Sequence, residues 1–200
     1  MQFTSVREKS LWWAAFICLL VIYSSLYIAR PIAEHLRERN LLGAAVGLVF
    51  ALTAVPVVIM ARRWNPGWRV ALGFVMAGIL YVPVFLFLEL PEERLHYLQY
   101  GLLCGLIHGA LRERRCNRPL SERAGMLRRV VFSPWLIALI LTAGAGWLDE
   151  GIQKLLPNRY YDLRDVAFNV SAAILYLIAW KVVEASRGWE ARSLSESVDT

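Results

Sequence analysis

Charged residues are scarce in this sequence: lysine, arginine, aspartate and glutamate make up 19% of the 200 residues, against 58% for hydrophobic residues. A soluble domain has about a quarter of its residues charged. A chain of this length has too small an interior to bury so much apolar surface. The scarcity of charge therefore excludes an ordinary water-soluble fold and favours a chain that lies in lipid.

Cysteine is also rare, with an odd count of three and no CxxC spacing. This excludes a disulfide framework and a thiolate metal site. Cys18 and Cys104 lie inside apolar runs, where we interpret them as small hydrophobic side chains. No HExxH motif is present either; the sequence leaves open a divalent metal held by His96, Glu150 and Asp165, and it does not indicate whether a cofactor is bound.

Six apolar stretches are present, each about 17 to 21 residues long, at residues 11–29, 41–61, 69–88, 95–111, 130–148 and 166–183. A helix of about 20 residues spans the hydrocarbon core of a bilayer, about 30 Å. The stretches lack the alternation of a membrane β-barrel. The sequence therefore predicts an all-α, polytopic membrane protein with about six transmembrane helices packed as a bundle.

The basic residues are distributed unevenly between the loops. Fifteen of the 22 fall on the side that holds both termini and the second and fourth loops. By the positive-inside rule, both termini are predicted to be cytoplasmic, in a multi-pass protein of the inner membrane. Topology explains the net charge of +6, so no nucleic-acid partner is expected. The first stretch is too long for a signal peptide and is interpreted as a permanent helix.

We predict a single membrane domain over residues 1–188. Helices within about 11–88 offer few polar residues and are interpreted as scaffold. The polar segment 189–200 is predicted to be a disordered cytoplasmic tail.

The connection between the last two stretches, WLDEGIQKLLPNRYYDLRDVAFN, gathers most of the chemistry-bearing residues on the predicted external side. Glu150 and Gln153 are three residues apart and share a helix face. After the break at Pro157, a polar stripe is formed by Asp162, Asp165 and Asn169. Such groups at membrane depth usually face the bundle interior. The alternative is a solvated loop in which Asp162 merely caps the last helix.

The fourth stretch opens with a second polar edge, His96, Gln99 and Tyr100, at the same predicted level. Glycines recur every four residues at 101, 105 and 109, a spacing that lets another helix approach closely. We expect residues 143–146 (AGAG) of the next stretch to be that partner surface, which would bring His96 near Glu150.

This ordered set of polar residues resembles the VanZ-like family of bacterial membrane proteins, whose founding member is associated with low-level teicoplanin resistance. The resemblance covers about residues 92–183 and rests on His96, Tyr97, Tyr100, Glu150, Gln153, Arg159, Asp162, Asp165 and Asn169. Three positions depart from the family pattern. Glu92 and Glu93 replace an Asp-Lys pair, which weakens a phosphate-binding role for that loop, and Ala172 replaces a glycine. The resemblance implies a cell-envelope protein and does not give a reaction.

Three functions are compatible with these residues. In the first, the external cluster of Gln153, Arg159, Asp162, Asp165, Asn169 and Tyr100 binds or modulates a polar headgroup: a lipid-linked wall precursor, a phospholipid or a lipophilic glycopeptide antibiotic. In the second, Glu150 and His96 supply acid–base catalysis in an intramembrane hydrolase or transferase. In the third, the chain is a small transporter, which six helices would support as an oligomer. Membrane lipids are the expected partners in each.

Overall fold

The computed structural model describes residues 3–64, 67–88, 91–117, 133–156 and 162–198, and within these the side chains outside 29–30, 54, 56–64, 91–92 and 189–198. No strand occurs in these ranges, so the prediction of an all-α chain is confirmed for them. The helices are α1 (Val6–Glu38), α2 (Leu42–Trp64), α3 (Trp68–Ile79), α4 (Tyr81–Phe87), α5 (Pro91–Cys116), α6 (Pro134–Leu155) and α7 (Leu163–Val198).

Four segments of the described chain are long and apolar enough to cross a membrane: Val6–Ile28, Trp68–Phe87, Pro134–Leu155 and Leu163–Gly188. A shorter apolar helical segment covers Leu42–Thr53. Large apolar side chains are exposed on these helices, among them Ile17, Leu52, Ile140 and Ile178. An exposed apolar face of this kind is stable in lipid, because contact with lipid tails lacks the free-energy cost of contact with water.

The turn between α1 and α2 has a sequence-encoded geometry. Asn40 adopts φ 56°, and asparagine tolerates this left-handed region better than other side chains. The amide of Leu41 donates to the carbonyl of Leu36 at 2.8 Å, and that of Asn40 donates to Arg37 at 3.0 Å. These two bonds form a Schellman motif, which satisfies the last carbonyls of α1 and reverses the chain.

The chain forms two compact units. Unit 1 comprises residues 1–31 and 95–177, and unit 2 comprises residues 32–94 and 178–200. The first half of α1 thus groups with the second half of the chain. The reason is a set of specific contacts that hydropathy does not reveal, such as the hydroxyl of Tyr23 donating to the carbonyl of Ala145 at 2.9 Å.

In unit 1 the glycine face of α5 packs on α7 and α1. A Cβ at Gly105 would lie 3.0 Å from the ring of Tyr176, and one at Gly109 would lie 3.5 Å from Leu11. The expectation that residues 143–146 cover these glycines was therefore wrong. A four-residue glycine spacing shows that a helix can approach closely, but it does not identify which helix does.

The contacts also fix helix directions within unit 1. The rings of Tyr97 and Phe168 are in contact, and His108 contacts Tyr176 further along both helices. Helices α5 and α7 therefore run parallel. The start of α1 meets the end of α5, where Ser5 donates to Glu113 at 3.1 Å. Thus α1 and α5 run antiparallel, and unit 1 has one end near Glu8 and another near Tyr100.

Unit 2 is held by close contact between α3 and the last part of α7. A Cβ at Gly73 would overlap the Ser186 hydroxyl, and Ala77 packs with Ala179 and Val183. The backbone of α7 continues as helix to Val198. Residues 189–198 contain neither glycine nor proline to end the helix.

Candidate functional site

The buried face of α6 positions the candidate site. Its buried residues are spaced mainly by four and three: Pro134, Ala138, Thr142, Gly146, Asp149, Glu150 and Gln153. This spacing places them on one stripe of the helix. The first part of the stripe is small and lets neighbouring helices approach, while the last part is acidic and polar. The apolar stretch predicted from sequence ends at residue 148, and α6 continues through these acids to Leu155.

Tyr100 of α5 meets this stripe directly. Its hydroxyl donates to the Asp149 carboxylate at 2.8 Å, and both side chains are fully buried. His96, one turn earlier on α5, stacks on Tyr100 with 6.3 Å between ring centroids. The Nδ1 atom of His96 is buried and has no hydrogen-bond partner among the described residues. The structure therefore brings His96, Tyr100 and Asp149 together in unit 1.

Glu150 links the end of α6 to the start of α7. One of its oxygens accepts from the Gln153 side-chain amide at 2.9 Å, and the other accepts from the backbone amide of Asp162 at 3.2 Å. The acids Asp165, Asp149 and Asp162 all act electrostatically on Glu150. This carboxylate is thus fully buried, hydrogen-bonded and surrounded by charges of its own sign.

The side chain of Asp162 caps α7. Its Oδ1 accepts from the backbone amide of Arg164 at 2.8 Å, one residue after the helix begins at Leu163. This is an N-cap bond, which satisfies one of the open amides of the first turn. The capping alternative raised from sequence therefore describes this side chain. Asp162 and Arg164 are exposed, and Asp165 is partly buried. Arg159 lies outside the described residues.

Asn169 extends the site into unit 1, about two turns into α7. It is fully buried against Gly146, whose Cβ, if present, would lie 2.8 Å from the Asn169 Cβ and 3.2 Å from its Nδ2. Neither amide atom of Asn169 has a hydrogen-bond partner within the described part of the chain. Buried unpaired amides are rare, because each one forfeits its hydration without compensation.

We name Tyr100, Asp149, Glu150, Gln153 and Asn169 the buried polar cluster; each is no more than 2% exposed. Four of them were predicted as site residues, and Asp149 was not among the predicted site residues. Two neighbouring groups were missed: Tyr23, one of two tyrosines in the first apolar run, and Ser171, which hydrogen-bonds Tyr97. Neither carries a periodic signal in the sequence.

The cluster contains oxygen and nitrogen ligands but no metal-binding arrangement of the usual kind. Among the described residues, no three histidine, cysteine, aspartate or glutamate side chains lie close enough to hold a metal ion. The set of His96, Glu150 and Asp165, which the sequence left open as a metal site, is therefore not gathered. Comparison with known proteins returns nothing for this chain: no family model, curated protein or solved structure matches it.

We expect the Tyr100–Asp149 bond to be measurable by a double-mutant cycle with Tyr100→Phe and Asp149→Leu. A hydrogen bond to a charged acceptor contributes about 1.5 kcal/mol, near the upper limit found between membrane helices. The free energy of unfolding in mixed micelles should show a coupling of that size. Tyr27→Phe is the control, since Tyr27 is 71% exposed. Additive single-variant effects at Tyr100 and Asp149 would contradict the assignment.

Proposed function

We propose that this chain is a VanZ-like protein of the bacterial inner membrane, with six spans and cytoplasmic termini, that binds or modulates a polar headgroup through the buried polar cluster. The headgroup belongs to a phospholipid, a lipid-linked wall precursor or a lipophilic glycopeptide. The observation that carries the proposal is the cluster itself. Side chains from three helices, Tyr100, Asp149 and Asn169, converge at one end of unit 1 in a chain with candidate membrane spans.

The energetics of the cluster support a functional origin. A carboxylate moved out of water loses hydration worth several kcal/mol, which internal bonds only partly restore. Glu150 has two such bonds, yet Asn169 has none among the described residues. A chain selected only for stability would place apolar side chains here. Ionisable groups within membrane helices are therefore best explained by a ligand.

The helix directions support the topology. With α1 and α5 antiparallel and α5 and α7 parallel, alternate crossings require Glu8 and the cluster at opposite membrane faces. The basic residues concentrate at the Glu8 face: Arg7, Lys9, Arg112, Arg114 and Arg115. By the positive-inside rule, that face is cytoplasmic and the cluster lies toward the external leaflet. A helix as long as α5, 26 residues, spans about 39 Å and is long enough to cross.

Binding is favoured over catalysis by the state of the predicted base. A general base needs a lone pair directed at its substrate. Each Glu150 oxygen already accepts one internal hydrogen bond, from Gln153 and from the amide of Asp162, and these bonds hold the carboxylate in place within the protein. The thiol of Cys104, the buried cysteine of α5, donates to the Ala173 carbonyl at 3.8 Å. These internal hydrogen bonds hold the polar groups in fixed positions.

The test is ligand retention by the purified protein, measured by native mass spectrometry. The protein is incubated with phosphatidylethanolamine, phosphatidylglycerol or undecaprenyl phosphate, and in a separate arm with teicoplanin. Asn169→Leu should reduce the amount of ligand that the protein retains at least tenfold, because it removes the buried amide. Thr53→Val is the matched control, since the hydroxyl of Thr53 is exposed and bonds only to its own helix. Equal retention of every probe by Asn169→Leu and the parent protein would reject the proposal.

A further inference from the structure

The start of α1 carries an apolar groove, at the end of unit 1 opposite the buried polar cluster. Its walls are the aromatic side chains of Phe3, Trp12, Trp13 and Phe16. The groove has a volume of about 240 Å³, whereas pockets for drug-sized ligands measure about 300–1,000 Å³. It therefore has room for a slender apolar group, such as one section of a lipid chain.

The aromatic walls of the groove face outward from the protein. Trp13 and Phe16 are 55% and 52% exposed, and their rings meet edge to face with 5.9 Å between the centroids. Both lie in the first half of the candidate span Val6–Ile28. Tryptophan is enriched at the headgroup level of a bilayer. The groove is therefore placed to contact lipid chains just beneath the headgroups.

Lys9 lies on the same face of α1 as the groove. It precedes Trp13 by four residues and Phe16 by seven, a spacing that puts the three side chains in one row along the helix. Lys9 is exposed, and a lysine at a membrane boundary extends its apolar stem along the helix and holds its ammonium among the headgroups. Seven residues of helix rise about 10 Å, so one lipid can contact both Lys9 and Phe16.

The charge at this end of unit 1 is positive. Residues 3–10 and 111–117 contain five bases and two acids: Arg7, Lys9, Arg112, Arg114, Arg115, Glu8 and Glu113. Ion pairs within this set can neutralise only two of the five bases. The segment 118–132 between α5 and α6, which lies outside the described residues, adds four arginines and one glutamate. An excess of basic residues next to a bilayer attracts anionic lipids.

We propose that the groove and Lys9 together bind one anionic phospholipid, with an acyl chain against the aromatic walls and the phosphate at the Lys9 ammonium. A zwitterionic phospholipid has a chain that fits the groove equally well, but its phosphate is accompanied by its own cation and gains less from the lysine. The site is separate from the buried polar cluster, so this proposal does not depend on the proposed function.

Photo-crosslinking in nanodiscs both locates and measures this binding on the unmodified protein. Phosphatidylglycerol and phosphatidylcholine probes carry the same diazirine in the acyl chain, and each is added at the same low fraction to a phosphatidylcholine bilayer. We expect the phosphatidylglycerol probe to label residues 10–16 at least fivefold more than the phosphatidylcholine probe, as determined by peptide mass spectrometry. One basic residue near a bilayer contributes about fivefold in affinity for anionic lipid.

Two substitutions at exposed positions separate the roles of charge and groove. Lys9→Gln should lower the preference for phosphatidylglycerol about fivefold, whereas Lys181→Gln, which changes an exposed lysine of unit 2, should retain it. Phe16→Ala should reduce the labelling of residues 10–16 by both probes at least threefold, because it removes one wall of the groove. Phe87→Ala is its control, since Phe87 is 84% exposed and lies outside the groove.

Three results would overturn the proposal. The first is equal labelling of residues 10–16 by the two probes on the unmodified protein. The second is a preference for phosphatidylglycerol that Lys9→Gln leaves unchanged, or labelling that Phe16→Ala leaves unchanged. The third is labelling spread evenly over all lipid-facing helices, which is the pattern that non-specific contact with the bilayer produces.

Discussion

Replacement of Gly146 by valine is expected to lower the free energy of unfolding by about 3 kcal/mol. Even the first added atom, a Cβ, would lie 2.8 Å from the Cβ of Asn169, which is closer than such atoms approach in proteins. The Asn169 Cβ cannot rotate away, because it is bonded to the backbone of α7. The helices must separate instead, and the packing of α6 on α7 is lost. Tryptophan fluorescence during unfolding in mixed micelles measures the effect.

Gly144 provides the matched control on the same helix. A Cβ at Gly144 meets no atom within 4 Å, so Gly144→Val should change the free energy of unfolding by no more than about 0.5 kcal/mol. Both substitutions add the same atoms to α6 and change its intrinsic helix propensity equally. An equal loss of stability in the two variants would show that α6 does not pack on Asn169 at Gly146.

The fold was predictable from the sequence to the level of helices in lipid, because this depends on composition and on the length of apolar runs. The predicted run 130–148 corresponds to α6, which extends from Pro134 to Leu155. The difference has a physical reason: hydropathy averages over all sides of a helix. It therefore ends a stretch at the first cluster of charges, even when those charges are buried within the same helix.

The candidate site was predictable in its residue types but not in its contacts. Spacing placed Glu150 with Gln153 and Asn169 on polar faces, and the structure brings these residues into unit 1. Spacing does not define the rotation of a helix toward its neighbours, so the partner of Tyr100 was not predictable. Tyr100 bonds to Asp149.

The opposite end of unit 1 contains a motif that can be recognised from the sequence. Ser5 and Glu8 have the S-x-x-E spacing of a capping box at the start of α1. The Glu8 amide donates to the Ser5 hydroxyl at 3.0 Å, and one Glu8 oxygen accepts from both the amide and the hydroxyl of Thr4 at 2.7 Å. Glu8 is fully buried, and its other oxygen lies 3.7 Å from Nε of Arg114. This network joins the start of α1 to the end of α5.

Glu8→Ala is therefore expected to reduce the free energy of unfolding by about 3 kcal/mol, since it removes a buried charge from its partner and leaves the first turn of α1 without its acceptor. Glu8→Gln should lose only about 1 kcal/mol, because glutamine still accepts from Thr4 at this capping position and only the attraction to Arg114 is lost. Glu38→Ala, which changes an exposed glutamate at the other end of α1, is the control and should have no measurable effect. Unfolding in mixed micelles ranks the three variants. If Glu8→Ala and Glu38→Ala were equally stable, the Glu8 network would not hold α1 against α5, and the helix directions that place the buried polar cluster at the opposite end of unit 1 would lose their main support.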